Sequence, residues 1–243
     1  MSDTAQITLL DLPSREPCST WSLNPWKTRL LLNYKGLDYK TEWTEYPDIK
    51  TKVQPHLPPN ENGTPYTIPT VKLADGTWIM DSRQIADAIE KRHPEPSVHL
   101  DSPYLTKVGD VLSKIIEHIR PMCFSRIPVN LLNEASVQYW YDTRKERLGM
   151  SVRDFEKKYG GEAAYKAAEP HLKQMTDLLR ESDGPFFMGT EPSYADFVWV
   201  GALVFFKRVD AEVSKEVLRR TGDRAVHESL LDACAPWLKR DSH

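Results

Sequence analysis

The sequence predicts an α/β domain followed by an all-α one. Three observations carry this expectation. Up to about residue 92, short runs rich in strand-forming residues alternate with helical periods. A proline-rich stretch without hydrophobic period follows, His93-Pro94-Glu95-Pro96-Ser97-Val98-His99, and nearly everything after it has helical spacing. The expected organisation is a first domain over 1–92, a linker over 93–102 and a helical domain over 103–243.

Within the first part, Ile7-Thr8-Leu9-Leu10-Asp11-Leu12 reads as a short buried strand, and a loop rich in turn formers runs from Pro13 to Trp21. A helix is expected next, with Asn24 as its cap, Pro25 at its first position, Trp26, Leu30 and Tyr34 at helical spacing, and Gly36 at its end. Residues 39–46 give a second strand, completing a βαβ unit, and an irregular proline-rich stretch covers 47–64. Residues 67–73 and 77–80, joined by Ala74-Asp75-Gly76, read as a hairpin. A helix opening at Asp81-Ser82 then presents Ile85 and Ile89 on one face. The order βαβ followed by ββα is that of a thioredoxin-like domain. Beyond the linker, helices are expected over 104–122, 135–159, 162–181, 194–209, 213–220 and 225–238.

Composition narrows the function classes. Hydrophobic residues make up 40% of the 243, enough for a real core. The net charge of -3, from 32 basic and 35 acidic residues, leaves no footprint for nucleic acid or an anionic membrane, so a small-molecule partner is expected. The first residues carry no signal-like basic or apolar region, and no later segment is apolar for long enough to span a bilayer. A cytoplasmic protein is expected. Only Cys18, Cys123 and Cys234 occur, too few and too far apart for a disulfide framework or a two-cysteine redox or zinc motif. His56, His93, His118 and His171 show no ligand spacing, so no metal is expected.

Four pieces of the chain, in order, resemble the glutathione transferase superfamily. Trp21-Ser22-Leu23-Asn24-Pro25-Trp26-Lys27-Thr28-Arg29 resembles its first loop and helix, and Thr67-Ile68-Pro69-Thr70-Val71 its cis-proline segment. Asp81-Ser82-Arg83-Gln84-Ile85 is similar to the Glu/Asp-Ser-x-x-Ile motif, and Ser193-Tyr194-Ala195-Asp196 to the second domain's capping box. With Asn33-Tyr34-Lys35-Gly36 and Glu45-Tyr46-Pro47-Asp48, the first piece is most similar to the fungal etherase-related (FuA, bacterial β-etherase-like) serine-type transferases. Leu23 stands where those enzymes often carry proline, and Asp81 where many transferases carry Glu. The resemblance implies glutathione as cosubstrate, a homodimer, and a role in detoxification or secondary metabolism.

The chemistry needs an activated thiol. A free thiol near pKa 8.5 is only a few per cent thiolate at neutral pH, and lowering it by roughly two units, about 2.7 kcal/mol, makes the anion the majority form. A hydroxyl at the start of a helix, with the positive end of the helix dipole behind it, can do this. Ser22 is the candidate donor, which by sequence alone is equally a loop or cap serine, and Asn24 is the second candidate, as donor or as cap. Cys18, four residues earlier, is a rival thiol. A cis bond before Pro69 would turn the backbone groups of Ile68 toward the cysteinyl backbone of glutathione, whereas a trans proline would merely open a strand. Asp81 and Ser82 are expected to hold the γ-glutamyl end, or simply to cap their helix. Lys27, Arg29, Lys52 and Arg83 could reach the glycine carboxylate or belong to a solvated face.

For the second substrate, Trp21 and Trp26 from one side and His118, Met122 and Phe124 from the 115–127 segment suggest a slot for an apolar aromatic or terpenoid-sized electrophile; helix-core packing explains the same residues. Ser193 and Asp196 read as a structural capping box. Three functions stay open: transfer of glutathione to a small hydrophobic electrophile by conjugation, ether cleavage or thiol exchange; isomerisation or dehydration of a specialised metabolite at the same site; and non-catalytic carriage of hydrophobic ligands.

Overall fold

A computed structural model describes residues 6–242. Its first half is built on a four-stranded sheet of order β2-β1-β3-β4. Strand β1 (Ile7–Asp11) pairs in parallel with β2 (Tyr39–Trp43) and antiparallel with β3 (Thr70–Lys72), which pairs antiparallel with β4 (Trp78–Met80). Because β1 is interior to the sheet, all five of its residues are buried, which is why its sequence is mostly apolar, with Thr8 and Asp11 the polar exceptions. Helix α1 (Leu23–Tyr34) makes the crossover from β1 to β2, and α3 (Ser82–Arg92) follows β4 and packs beside α1. This is the expected thioredoxin-like arrangement.

Asp11, at the end of the central strand, is fully buried and pairs with Arg29 of α1 at 2.6 Å. Arg29 also donates to Thr41 at 2.8 Å, and its guanidinium lies 5.3 Å from the Trp43 ring centroid. A buried charge pair with its remaining donors satisfied locks helix to sheet. Arg29 therefore serves the core, and the expectation that it could reach a ligand carboxylate is corrected.

The stretch read as irregular holds a 3-10 turn (Tyr46–Asp48) and a single-turn helix, α2 (Ile49–Val53). The second half is helical: α4 (Pro103–Phe124), α5 (Ile127–Asn130), α6 (Glu134–Leu148), α7 (Val152–Tyr159), α8 (Gly161–Leu179), α9 (Tyr194–Val209), α10 (Ala211–Arg220) and α11 (Arg224–Leu238). The long helix expected over 135–159 is two helices. Gly149 takes a left-handed φ of 68°, ending α6, and Ser151 caps α7 through the Asp154 N–H at 3.1 Å.

Helix α9 lies at the centre and is buried on nearly all sides. Asp196 anchors its start, accepting from the Ser193 N–H at 2.7 Å and the Phe187 N–H at 2.9 Å; burial pushes its carboxyl up to about 6. Gly201 lets α9 approach α1 closely, since a Cβ there would sit 3.2 Å from the Leu23 carbonyl oxygen and 3.3 Å from Trp26 Cβ. The two halves thus share one core, and the start of α1 is held against the middle of α9. Among the described residues no helix is long and apolar enough to cross a membrane.

Candidate active site

The helix begins earlier than the sequence suggests. Ser22, with extended backbone (φ -80°, ψ 140°), is the residue before α1, so Asn24 is the second helical residue and the expectation that it caps α1 is corrected. The Ser22 carbonyl accepts from the Trp26 N–H at 3.2 Å, but its hydroxyl caps nothing and has no partner among the described residues. No acidic residue stands in the first turn, so the positive end of the α1 dipole is uncompensated there. An unengaged hydroxyl at such a point can donate to an anion.

Beside it lies a polar cavity of about 240 Å³, whose walls include Asn24, Thr67, Ile68, Pro69, Asp81 and Ser82. The Ile68–Pro69 peptide is cis. Neither the N–H nor the C=O of Ile68 is bonded within the described residues, so both are available to an extended peptide. Asp81 has a left-handed φ of 79° and accepts from the Arg83 N–H at 2.8 Å, so it caps α3, while the Ser82 hydroxyl makes no bond among the described residues. On the outer side of Asp81 the cavity continues into an open groove of about 670 Å³ along 57–62 and Trp78.

On the other side of Ser22 is an apolar cavity of about 400 Å³ between α1, α4, α6 and α9. Its walls include Trp21, Ile116, Phe124, Trp140 and Phe205, with Ser22, Asn24 and Lys27 from the start of α1 and Tyr46 from the 3-10 turn. Trp21 is fixed by its indole N–H donating to the Pro13 carbonyl at 3.1 Å. Phe124 meets Trp140 edge to face, ring centroids 5.5 Å apart. Tyr46 is held by its neighbour: Glu45 accepts from Asn133 at 2.8 Å and from the Ser136 hydroxyl, tying this turn to α6. Burial pushes the Tyr46 hydroxyl up to about 12. Asn24 lines both cavities, so the two meet at the start of α1.

Comparison with known proteins decides the family. Residues 21–92 match the family described as Glutathione S-transferase, N-terminal domain, and residues 109–237 match Glutathione S-transferase, C-terminal domain. The chain belongs to the glutathione S-transferase family. Glutathione is the cosubstrate of that family. The glutathione S-transferase-like protein ustS of Aspergillus flavus is 28% identical, over 90% of this chain and 86% of its own. Among solved structures, glutathione transferase GSTFuA2 of Phanerochaete chrysosporium is 25% identical with a TM-score of 0.83, over 96% of this chain and 98% of its own. The transferase CsGST63524 of Ceriporiopsis subvermispora, solved in complex with glutathione, is 28% identical with a TM-score of 0.81, over 96% of this chain and 97% of its own. The resemblance to fungal FuA-type transferases therefore holds.

Within this member of the family, the residues expected from sequence divide. Ser22, Asn24, Ile68, Pro69, Asp81 and Ser82 converge on the two cavities, as do Trp21 and Phe124. Three expected slot residues do not. Trp26 is 1% exposed and packs against Gly201 in the interface of α1 and α9. His118 lies parallel to His171, ring centroids 5.9 Å apart, facing α8. Met122 turns toward the start of α8, its sulfur 3.0 Å from the Gly161 nitrogen. Among the cations, Lys52 is bound to Glu42 at 2.6 Å and Thr44 at 3.2 Å, and Arg83 pairs with Asp87 at 3.0 Å in solvent; neither lines a cavity. Cys18 is raised above the ordinary thiol range, chiefly by burial, the opposite of an activated nucleophile, and it too lies outside both cavities.

Sequence reasoning missed Tyr46, Trp140 and Phe205, and pointed to the 115–127 segment without singling out Ile116. Tyr46 stood at the end of a supposed strand, and the other three sat in helices whose facing sides no single period identifies. Lys27 was weighed for the glycine carboxylate but lines the apolar cavity instead. Burial lowers its ammonium to about 8, with Asp81 opposing the shift.

Proposed function

We propose that this chain transfers glutathione to a small hydrophobic electrophile, with Ser22 as the residue that stabilises the attacking sulfur anion. The observation that carries the reading is the unengaged Ser22 hydroxyl at the start of α1, at the meeting of a polar cavity with free peptide groups and an aromatic-walled one. The residues fit the tripeptide. Ile68 offers an N–H and a C=O to the cysteinyl backbone, and the hydroxyl and N–H of Ser82 at the start of α3 suit the γ-glutamyl carboxylate. Asp81 is placed to attract the γ-glutamyl ammonium group.

Glutathione supplies a thiolate nucleophile, which forms a sulfur–carbon bond as the electrophile's leaving group departs with its electron pair, the thiol proton having passed to solvent. The protein's part is to orient and to stabilise. Ser22 donates its hydroxyl proton toward the sulfur anion, and the α1 dipole adds to it. Asn24, facing both cavities, supplies a second polar group at their junction. Trp21, Phe124, Trp140 and Phe205 hold the electrophile and exclude water around the forming bond. The setting we assign is a cytosolic homodimer.

The test is turnover of a generic aryl halide with glutathione by wild type and Ser22→Ala. Loss of a hydrogen bond to a charged group, about 1.5–3 kcal/mol, corresponds to a fall in kcat/KM of roughly 10- to 100-fold. Equal rates remove Ser22 from the mechanism.

A further inference from the structure

Lys27 sits one turn along α1 from Leu23, on the same helix face, and both line the apolar cavity. Among the residues that line it, Lys27 is the one that carries a charge. Neighbouring buried or half-buried cations have partners: Arg29 of α1 pairs with Asp11, Lys35 just after α1 with Glu90, and Lys52 of α2 with Glu42. Lys27 has no ion pair or hydrogen bond among the described residues. Asp81 attracts it only at a distance, and that carboxylate is engaged in capping α3 beside the polar cavity.

A half-buried lysine in the wall of a cavity that Trp21, Ile116, Phe124 and Phe205 also line, with no counter-charge bonded to it, is costly. Its lowered basicity, about 8, records that cost and still leaves the cation as the major form at neutral pH. A bound anion would offset the cost, and the cavity's own residues supply none.

We propose that Lys27 is a specificity-determining residue that selects, for the aromatic-walled cavity, an electrophile bearing one anionic group, a carboxylate or a phenolate, on an otherwise apolar aromatic body. The inference rests on reading this cavity as the electrophile's site. The aromatic walls take the body and Lys27 takes the charge, which also fixes which end of the molecule points toward Ser22.

Binding of two unreactive probes separates this from the alternatives. 3,5-Dinitrobenzoate and its uncharged counterpart 3,5-dinitrobenzamide are titrated by tryptophan-fluorescence quenching into wild type, Lys27→Met and Lys27→Arg, with reduced glutathione titrated calorimetrically in parallel. Wild type binds the benzoate at least ~10-fold more tightly than the amide, as one charge-assisted contact gives. Lys27→Met abolishes that preference while its affinities for the amide and for glutathione stay as in wild type, and Lys27→Arg keeps it. No preference in wild type overturns the proposal, and it does so even if Lys27→Met fails to fold. A variant that loses glutathione affinity but keeps the benzoate preference overturns it as well, and assigns Lys27 to the tripeptide. Neither probe needs glutathione, so a wild type that binds no glutathione contradicts the proposed function and leaves the charge preference readable.

Discussion

The hydroxyl of Tyr194, in the first turn of the central helix α9, donates to the carbonyl oxygen of Ser82 at 2.9 Å, where α3 begins. Tyr194 also donates its N–H to the Val98 carbonyl at 2.7 Å. The helical half of the molecule therefore fixes the end of the polar cavity that lies in the other half.

Replacing Tyr194 with Phe keeps the packing and removes the hydroxyl's bond to the Ser82 carbonyl. The expected cost is about 1–3 kcal/mol in urea unfolding. Glutathione affinity, read by calorimetry, should also weaken, because the first turn of α3 is less firmly placed. Unchanged affinity together with lost stability would confine the bond to a structural role.

The Asp11–Arg29 pair lies wholly out of water. Asp11→Ala strands the guanidinium in the core, and a loss of about 3–5 kcal/mol is expected, seen as a lower denaturant midpoint. Replacing Asp11 and Arg29 together by apolar residues should cost less than the single change.

His227 predicts a pH dependence. Its Nδ1 accepts from the Trp199 indole N–H at 3.0 Å, so Nε2 carries the ring proton and faces Thr176 Oγ1 at 2.9 Å, while the Thr176 hydroxyl donates to the Thr221 carbonyl at 2.8 Å. Burial lowers the ring from 6.5 to about 4. The unfolded chain then takes up a proton that the folded chain refuses, so this contribution is complete above pH 6.5 and is lost as pH falls toward 4, by about 3 kcal/mol in all. Asp196, raised to about 6, works in the opposite direction over much of the same range. The measurement is therefore the gap in unfolding free energy between wild type and His227→Gln, which should narrow on acidification from pH 6.5 to about 4.

Phe124 and His118 stand on the same helix and were both expected at the slot, but only Phe124 lines it. Phe124→Ala should raise KM for an aromatic electrophile about 10-fold, from lost apolar contact, with little change in glutathione affinity. His118→Ala should leave both parameters near wild type.

These contrasts mark where the sequence was readable. Ser22, Ile68, Pro69, Asp81 and Ser82 belong to local backbone devices, a helix start, a cis peptide and a cap, and such devices are written in a few consecutive residues. The limits of α9 were equally clear, because Ser193 and Asp196 spell its start. The apolar cavity was not readable. Its walls come from the 3-10 turn at Tyr46 and from α4, α6 and α9, and in a helix buried on all sides periodicity does not tell which side faces a cavity. Trp21 and Trp26 look alike in sequence, yet one precedes α1 and opens on the slot while the other falls inside it against Gly201. A lone glycine is tolerated within a helical pattern, so nothing in the sequence alone marks Gly149 as the end of α6.

The most direct test of the account is the ionisation of the bound thiol, followed by ultraviolet thiolate absorbance as pH is varied, for wild type and Ser22→Ala saturated with glutathione. In wild type the apparent pKa should lie about two units below the free value near 8.5, and in the variant it should return at least about one unit toward it. The same depressed value in both proteins, or an undepressed value in wild type, would contradict the claim that the Ser22 hydroxyl holds the sulfur as an anion.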